Sequence, residues 1–175
     1  VDADGKTGDG AGIHVEIPKD FFIEKIQVTG HDYDNSEICV GMIFLPRNDY
    51  SAQESCKTIV ESELTKNNFS IYGWRQVPVN PKVLGEKALQ TMPEIIQVLF
   101  KSNDPNLLDK KLERKIYETR KRIENKAFDA SLNNFYICSI SSKSIIYKGL
   151  YLAEALSDFY LDIRDSRFIS RYVIF

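Results

Sequence analysis

The stretch Asp2-Ala3-Asp4-Gly5-Lys6-Thr7-Gly8-Asp9-Gly10-Ala11-Gly12 runs straight into the apolar segment Ile13-His14-Val15-Glu16-Ile17. The element next to the glycines decides the fold, because a helix there would mark a phosphate-binding α/β unit and a strand would not. Ile13, Val15 and Ile17 alternate with His14 and Glu16, the period of a half-buried strand. Glycine tolerates positive φ and close approach of other groups, so four glycines between Gly5 and Gly12 describe a tightly folded loop. Its N–H groups could form an anion-binding nest or be capped by the Asp9 carboxylate, and the residues leave both open. Gly5-Lys6-Thr7 looks like the tail of a P-loop but lacks the strand before and the helix after. Gly8, Gly10 and Gly12 are spaced G-x-G-x-G, not G-x-G-x-x-G, so the dinucleotide fingerprint fails as well.

Outward from the loop, 175 residues suit one domain with a sizeable core, and 43% hydrophobic with 27% charged residues names no special partner. A net charge of -2 argues against a dedicated nucleic-acid binder. No apolar run approaches the roughly 18 residues of a membrane span. Cys39, Cys56 and Cys138 are odd in number and form no C-x-x-C pair, which suits a reducing compartment. His14 reads as a strand-edge histidine and His31 as a loop histidine, so no metal site is expected. The opening Val1 and the apolar closing run Tyr172-Val173-Ile174-Phe175 read as an internal segment of a longer chain, truncated at both ends.

Pro18 opens a short helix that turns Phe21 and Phe22 inward, and Gly30 to Ser36 is a polar turn. Ile38 to Leu45 is apolar apart from Gly41, as for a strand covered on both faces and stopped by Pro46. Cys39 lies in this strand and reads as a buried structural thiol. Helical spacing runs from Ser51 to Lys66, then a strand from Phe69 to Val79 in which the lone Trp74 belongs to the core or its edge. Leu84 to Met92 reads as an irregular connection, and Glu94 to Phe100 as another strand. Asp104-Pro105 predicts the start of a helix reaching about Phe128. Lys110, Lys111, Arg114 and Lys121 make its outer side basic, the main support for a nucleic-acid or partner-binding module. Interleaved acids, and no stacking platform, favour a solvated face. Phe135 to Ile140 and Ser144 to Tyr147 read as a hairpin turning at Ser141-Ser142-Lys143, and Arg171 to Phe175 as the start of a strand. This irregular order describes an α+β domain with stacked sheets.

Several blocks carry a resemblance. They are Thr7-Gly-Asp-Gly-Ala-Gly-Ile, Val40-Gly41-Met42-Ile43-Phe44-Leu45-Pro46, Gly73-Trp74-Arg75-Gln76-Val77-Pro78-Val79-Asn80, Phe135-Tyr136-Ile137-Cys138-Ser139 and Ile146-Tyr147-Lys148-Gly149-Leu150. In this order they resemble the amino-terminal amidotransferase domain of the glutamate synthase large subunit, over nearly the whole chain. The resemblance implies an incomplete four-layer αββα sandwich of antiparallel sheets, like that of N-terminal-nucleophile hydrolases. It also implies a glutaminase that hydrolyses glutamine to glutamate and ammonia, the ammonia passing to 2-oxoglutarate. The nucleophilic cysteine is then expected upstream of Val1 and the oxyanion Asn-Gly pair downstream of Phe175, which leaves these residues alone inactive. The resemblance puts Gly8, Asp9 and Gly10, and Lys148 with Gly149, next to the glutamine pocket; for both loops a purely structural role stays open. FMN and an iron–sulfur cluster are implied for the complete enzyme and no cofactor for this segment. The implied partners are the remaining domains of the subunit and a small reductase subunit or ferredoxin, in the cytoplasm or a plastid stroma. A stand-alone amidotransferase-like protein and a non-catalytic binding or regulatory module are the alternatives.

Overall fold

The computed structural model describes residues 5–175; Val1 and the Asp2 to Asp4 part of the opening stretch lie outside the described residues. Strand β1 (Ala11–Glu16) continues directly from the glycine loop, with Ile13 and Val15 buried. Pro18 caps helix α1 (Lys19–Val28), whose Phe21, Phe22 and Ile26 point into the core. Burying one such side chain stabilises the fold by roughly 1.5–3 kcal/mol. Strand β2 (Cys39–Leu45) is buried almost throughout, and Asp49 then caps α2 (Tyr50–Lys66) by accepting from the Ala52 N–H at 2.9 Å. Strand β3 (Phe69–Gln76), a short helix α3 (Glu86–Thr91), β4 (Glu94–Ser102) and the long α4 (Asp109–Asp129) come next. The chain closes with β5 (Tyr136–Ser141), β6 (Ser144–Gly149), a single turn α5 (Leu156–Phe159) and β7 (Val173–Ile174).

These strands make two antiparallel sheets, one of four strands in the order β3-β4-β2-β5 and one of three in the order β6-β1-β7. One core fills the space between the sheets, from Ile13, Val15, Ile145 and Tyr147 on one side and Val40, Met42 and Leu99 on the other, with α1 closing it. A second core lies between the opposite face of the four-stranded sheet and helices α2 and α4, through Ile43, Val60, Val98, Leu112 and Ile116. Both faces of β2 are therefore covered, which is why its sequence runs apolar without alternation. The α+β sandwich of stacked antiparallel sheets is formed, with helices on the four-stranded side. Among the described residues no helix packs comparably on the three-stranded sheet.

Several expected boundaries are corrected. Ser141-Ser142-Lys143 is not a hairpin turn: β5 and β6 lie in different sheets, and the three residues form the corner between them. Glu113 of α4 pulls the chain round that corner, accepting from the Ser141 hydroxyl (2.9 Å), the Ser142 N–H (2.7 Å) and the Ser142 hydroxyl (2.8 Å). The long helix starts at Asp109, not at Asp104-Pro105, because Asp104 accepts from the Asn106 N–H at 2.9 Å and closes a local turn instead. Leu84 to Met92 is not irregular but contains α3. The strand starting at Phe69 ends at Gln76, and Val79 makes only an isolated bridge to Tyr160. His14 stands on the central strand of its sheet, not on an edge, and bonds the Ser144 hydroxyl at 2.6 Å.

Candidate binding groove beside the glycine loop

The glycine loop is shaped by two positions. Gly10 has φ +118°, a conformation L side chains rarely adopt, and a Cβ on Gly8 would lie 2.7 Å from the carbonyl oxygen of Tyr151. Gly8 is buried while Asp9 and Gly10 beside it are exposed, so the loop leans on the Tyr151 backbone through Gly8 and presents Asp9 and Gly10 outward. The loop enters β1, whose Ala11 pairs with Gly149 and Gly12 with Lys148. Gly8, Asp9, Gly10, Lys148 and Gly149, far apart in the chain, are therefore brought to one end of the three-stranded sheet.

That end is hollow. A cleft of about 630 Å³ is bordered by Asp9, Gly10, His14, Phe44, Lys148 and Gly149. A second, of about 820 Å³, runs from Phe44, Lys148 and Gly149 toward Tyr136, Tyr151 and Phe159. The Lys148–Gly149 end of β6 is the wall the two share. The Lys148 ammonium donates to the Tyr136 hydroxyl at 2.7 Å and sits 4.6 Å from that ring's centroid, while the Lys148 carbonyl accepts from the Tyr160 hydroxyl at 2.8 Å. The clefts are thus lined by loop backbone, by the Asp9 and Lys148 residues of opposite charge and by apolar side chains, a setting that suits a small polar molecule.

Behind the wall lies a polar ring that no motif announced. Arg75 of β3 holds Asp162 through both terminal nitrogens, at 2.7 and 2.8 Å, and also donates to the Gln97 side-chain oxygen at 2.6 Å. Gln97 donates to the Tyr147 hydroxyl at 3.1 Å, and that hydroxyl donates to Asp162 at 3.0 Å. Burial opposes the charge on Arg75, but the hydrogen bonds and charge of Asp162 prevail and hold its pKa above the ordinary arginine value. Burial, then the Asp162 charge, push the Tyr147 hydroxyl far above the usual tyrosine range, so it stays a neutral donor. The signal in the sequence was an arginine in a strand rich in aromatic residues. The position of its partner, 87 residues further on, carried none.

No thiol in the described residues is poised as a nucleophile. Cys39, Cys56 and Cys138 are free and buried, as Cys39 was expected to be. Desolvation raises all three, Cys56 and Cys138 each to about 11. Cys138 faces the core between the sheets, whereas Cys39 and Cys56 lie in the helix-side core, so the three do not form a cluster's ligand set. Among the described residues no group of three or more His, Cys, Asp and Glu side chains converges on a metal position. The basic side of α4 is laced by its own acids, with Arg114 bonded to Glu118 and Arg120 to Glu124, one turn apart. Among the described residues no helix is long and apolar enough to cross a membrane.

Residues 1–175 match the family model of the class-II glutamine amidotransferases. The chain is 49% identical over 175 residues to the glutamate synthase (NADPH) large chain of Azospirillum brasilense, covering 100% of this chain and 12% of that protein. It is 38% identical over 175 residues to the ferredoxin-dependent glutamate synthase 1 of Arabidopsis thaliana, described as chloroplastic/mitochondrial, covering 99% of this chain and 11% of that one. The ferredoxin-dependent glutamate synthase of Spinacia oleracea is 37% identical over 176 residues, with 11% of its length covered. The chain thus spans about one ninth to one eighth of the relatives it matches.

Proposed function

Because the chain belongs to the class-II glutamine amidotransferases, we propose that it forms part of the glutaminase domain of a glutamate synthase. The observation that carries this reading is the collinear match of the whole chain to one portion of glutamate synthase large chains. In the reaction proposed, water replaces the side-chain amide of glutamine to give glutamate and ammonia. Ammonia, 2-oxoglutarate and two electrons from a reduced donor then give a second glutamate. The nucleophile is a cysteine thiolate outside these residues, activated by its own α-amino group as base. The developing oxyanion is held by an Asn side chain and a Gly N–H, also outside them. FMN and an iron–sulfur cluster would supply the electron chemistry elsewhere in the protein; the three buried cysteines here do not fit a cluster, and no step is assigned to them.

In this reading the Gly8–Gly10 loop and the Lys148–Gly149 strand end border the glutamine site. The groove supports it: residues of both charges, Asp9 and Lys148, border it beside apolar side chains, and the zwitterionic head and methylene chain of glutamine need both kinds of contact. The test is to assay the full-length protein and residues 1–175 side by side for ammonia release from glutamine. The full-length protein should release ammonia and, with 2-oxoglutarate and a reduced donor, form two glutamates per glutamine consumed, while residues 1–175 should release none. Turnover by residues 1–175 would overturn the assignment of the nucleophile. A full-length protein that binds glutamine without hydrolysing it would favour a binding or regulatory module.

A further inference from the structure

The ring of Arg75, Gln97, Tyr147 and Asp162 crosses the sandwich. Arg75 and Gln97 stand on β3 and β4 of the four-stranded sheet, Tyr147 on β6 of the three-stranded one, and Asp162 on a short 3-10 turn spanning Leu161–Arg164. Each donor in it meets an acceptor: guanidinium to amide oxygen and carboxylate, amide nitrogen to phenol, phenol to carboxylate. Asp162 is 3% exposed and Tyr147 is fully buried, and the Phe21 ring lies 5.4 Å from the guanidinium carbon. A closed, desolvated ring of this kind has one low-energy geometry, so it fixes the spacing of the elements that carry it.

The residue it fixes most directly is Tyr147, and the next two are Lys148 and Gly149. These form the wall shared by both clefts, and they pair with Gly12 and Ala11 at the exit of the glycine loop. We propose that Arg75, Asp162 and Tyr147 are positioning residues: through the ring they hold the Lys148–Gly149 strand end, and the glycine loop paired with it, at the spacing that glutamine binding requires. The inference rests on the proposed glutaminase reading for its ligand and on the ring alone for its geometry. Gln97 completes the ring without a charge of its own.

The experiment uses the full-length protein with Tyr147→Phe, which removes one hydroxyl and keeps the ring packing, and Arg75→Lys, which keeps the charge and loses the fork. Steady-state glutaminase kinetics and amide hydrogen exchange are measured on the same samples. The expected result is a KM for glutamine raised about tenfold with kcat held within about twofold, inside the hundredfold that a 1 Å misplacement can cost. Exchange should accelerate at Ala11, Gly12, Lys148 and Gly149 and stay unchanged along β2 and β4. An unaltered KM in both folded variants overturns the proposal. So does a parallel loss of kcat and exchange protection everywhere, which is the signature of a merely structural ring. If the wild-type protein does not hydrolyse glutamine, the functional reading fails on its own, and the exchange pattern still decides whether the ring positions the strand end.

Discussion

Gly8 shows how little room the loop has. A methyl group there would stand 2.7 Å from the Tyr151 carbonyl oxygen and 2.9 Å from its carbon, and both are backbone atoms that cannot rotate away. Gly8→Ala should therefore destabilise the domain by about 1–3 kcal/mol, the usual cost of overpacking, seen as a lower urea midpoint at unchanged slope. A midpoint equal to wild type would mean that the loop and the Tyr151 backbone move apart freely. At this scale the sequence was legible wherever one residue type had one reason to be present. Gly8 and Gly10 read as loop residues because four glycines cluster between Gly5 and Gly12, and Cys39 read as a core thiol because it lies in an apolar strand. Arg75 was not legible in the same way. Phe69 and Ile71 face the helix-side core, and strict alternation would put Arg75 with them; a bulge at Tyr72–Gly73 shifts the phase, so that Trp74 faces the helices and Arg75 the other sheet. Counting by twos cannot reveal an inserted residue.

Between elements, α2 and α4 are tied where Glu63, almost fully buried, accepts a short hydrogen bond of 2.5 Å from Lys126. That bond, with the charges of Lys126, Lys66 and Arg122, holds the Glu63 carboxyl below the usual carboxylate range against the burial that would raise it. A carboxyl depressed in the folded state contributes its stability above its unfolded pKa and loses it as pH falls through the lower folded value. Glu63→Gln should therefore be less stable than wild type at pH 7, and the gap should narrow as the pH is lowered through the carboxylate range, measured as urea midpoints at a series of pH values. A gap independent of pH would assign the loss to packing alone. Element boundaries were the part of the sequence least open to reading. Asp104-Pro105 has the composition of a helix start, but a side chain that can cap a helix can equally close a turn, and here it did. The two strands around Ser141–Lys143 were found, yet their separation into different sheets depends on Glu113, which lies 28 residues upstream of Ser141.

At the scale of the whole molecule the two sheets meet through apolar packing and through the polar ring, in which Asp162 on its 3-10 turn joins Arg75 of β3 to Tyr147 of β6; the Arg75 and Asp162 side chains are 12% and 2% exposed. Removing one partner leaves the other buried and unpaired, so Arg75→Ala and Asp162→Ala should each cost about 3–5 kcal/mol. The double variant should lose less than their sum, by about 0.5–3 kcal/mol, since the second removal strands nothing further. Strict additivity in that double-mutant cycle would show that Arg75 and Asp162 do not act as a pair. The layered architecture itself was legible, because alternating and continuous apolar strands separate the half-covered sheet from the fully covered one. Antiparallel pairing across long sequence separations was not, because many registers satisfy the same pattern.

That long-range pairing also sets an order of events. Among the described strands β1 comes first in the chain and pairs with β6 and β7, beginning at Ser144, while the residues of β2, β3 and β4, which pair with one another, are complete by Ser102. On the ribosome, β1 and its glycine loop cannot take up their pairing with β6 and β7 until more than a hundred further residues are made, and closing so long a loop is entropically slow. The helix-backed sheet is a platform that can stand ready early. The groove forms after that platform, and nothing can bind there until β6 has joined β1.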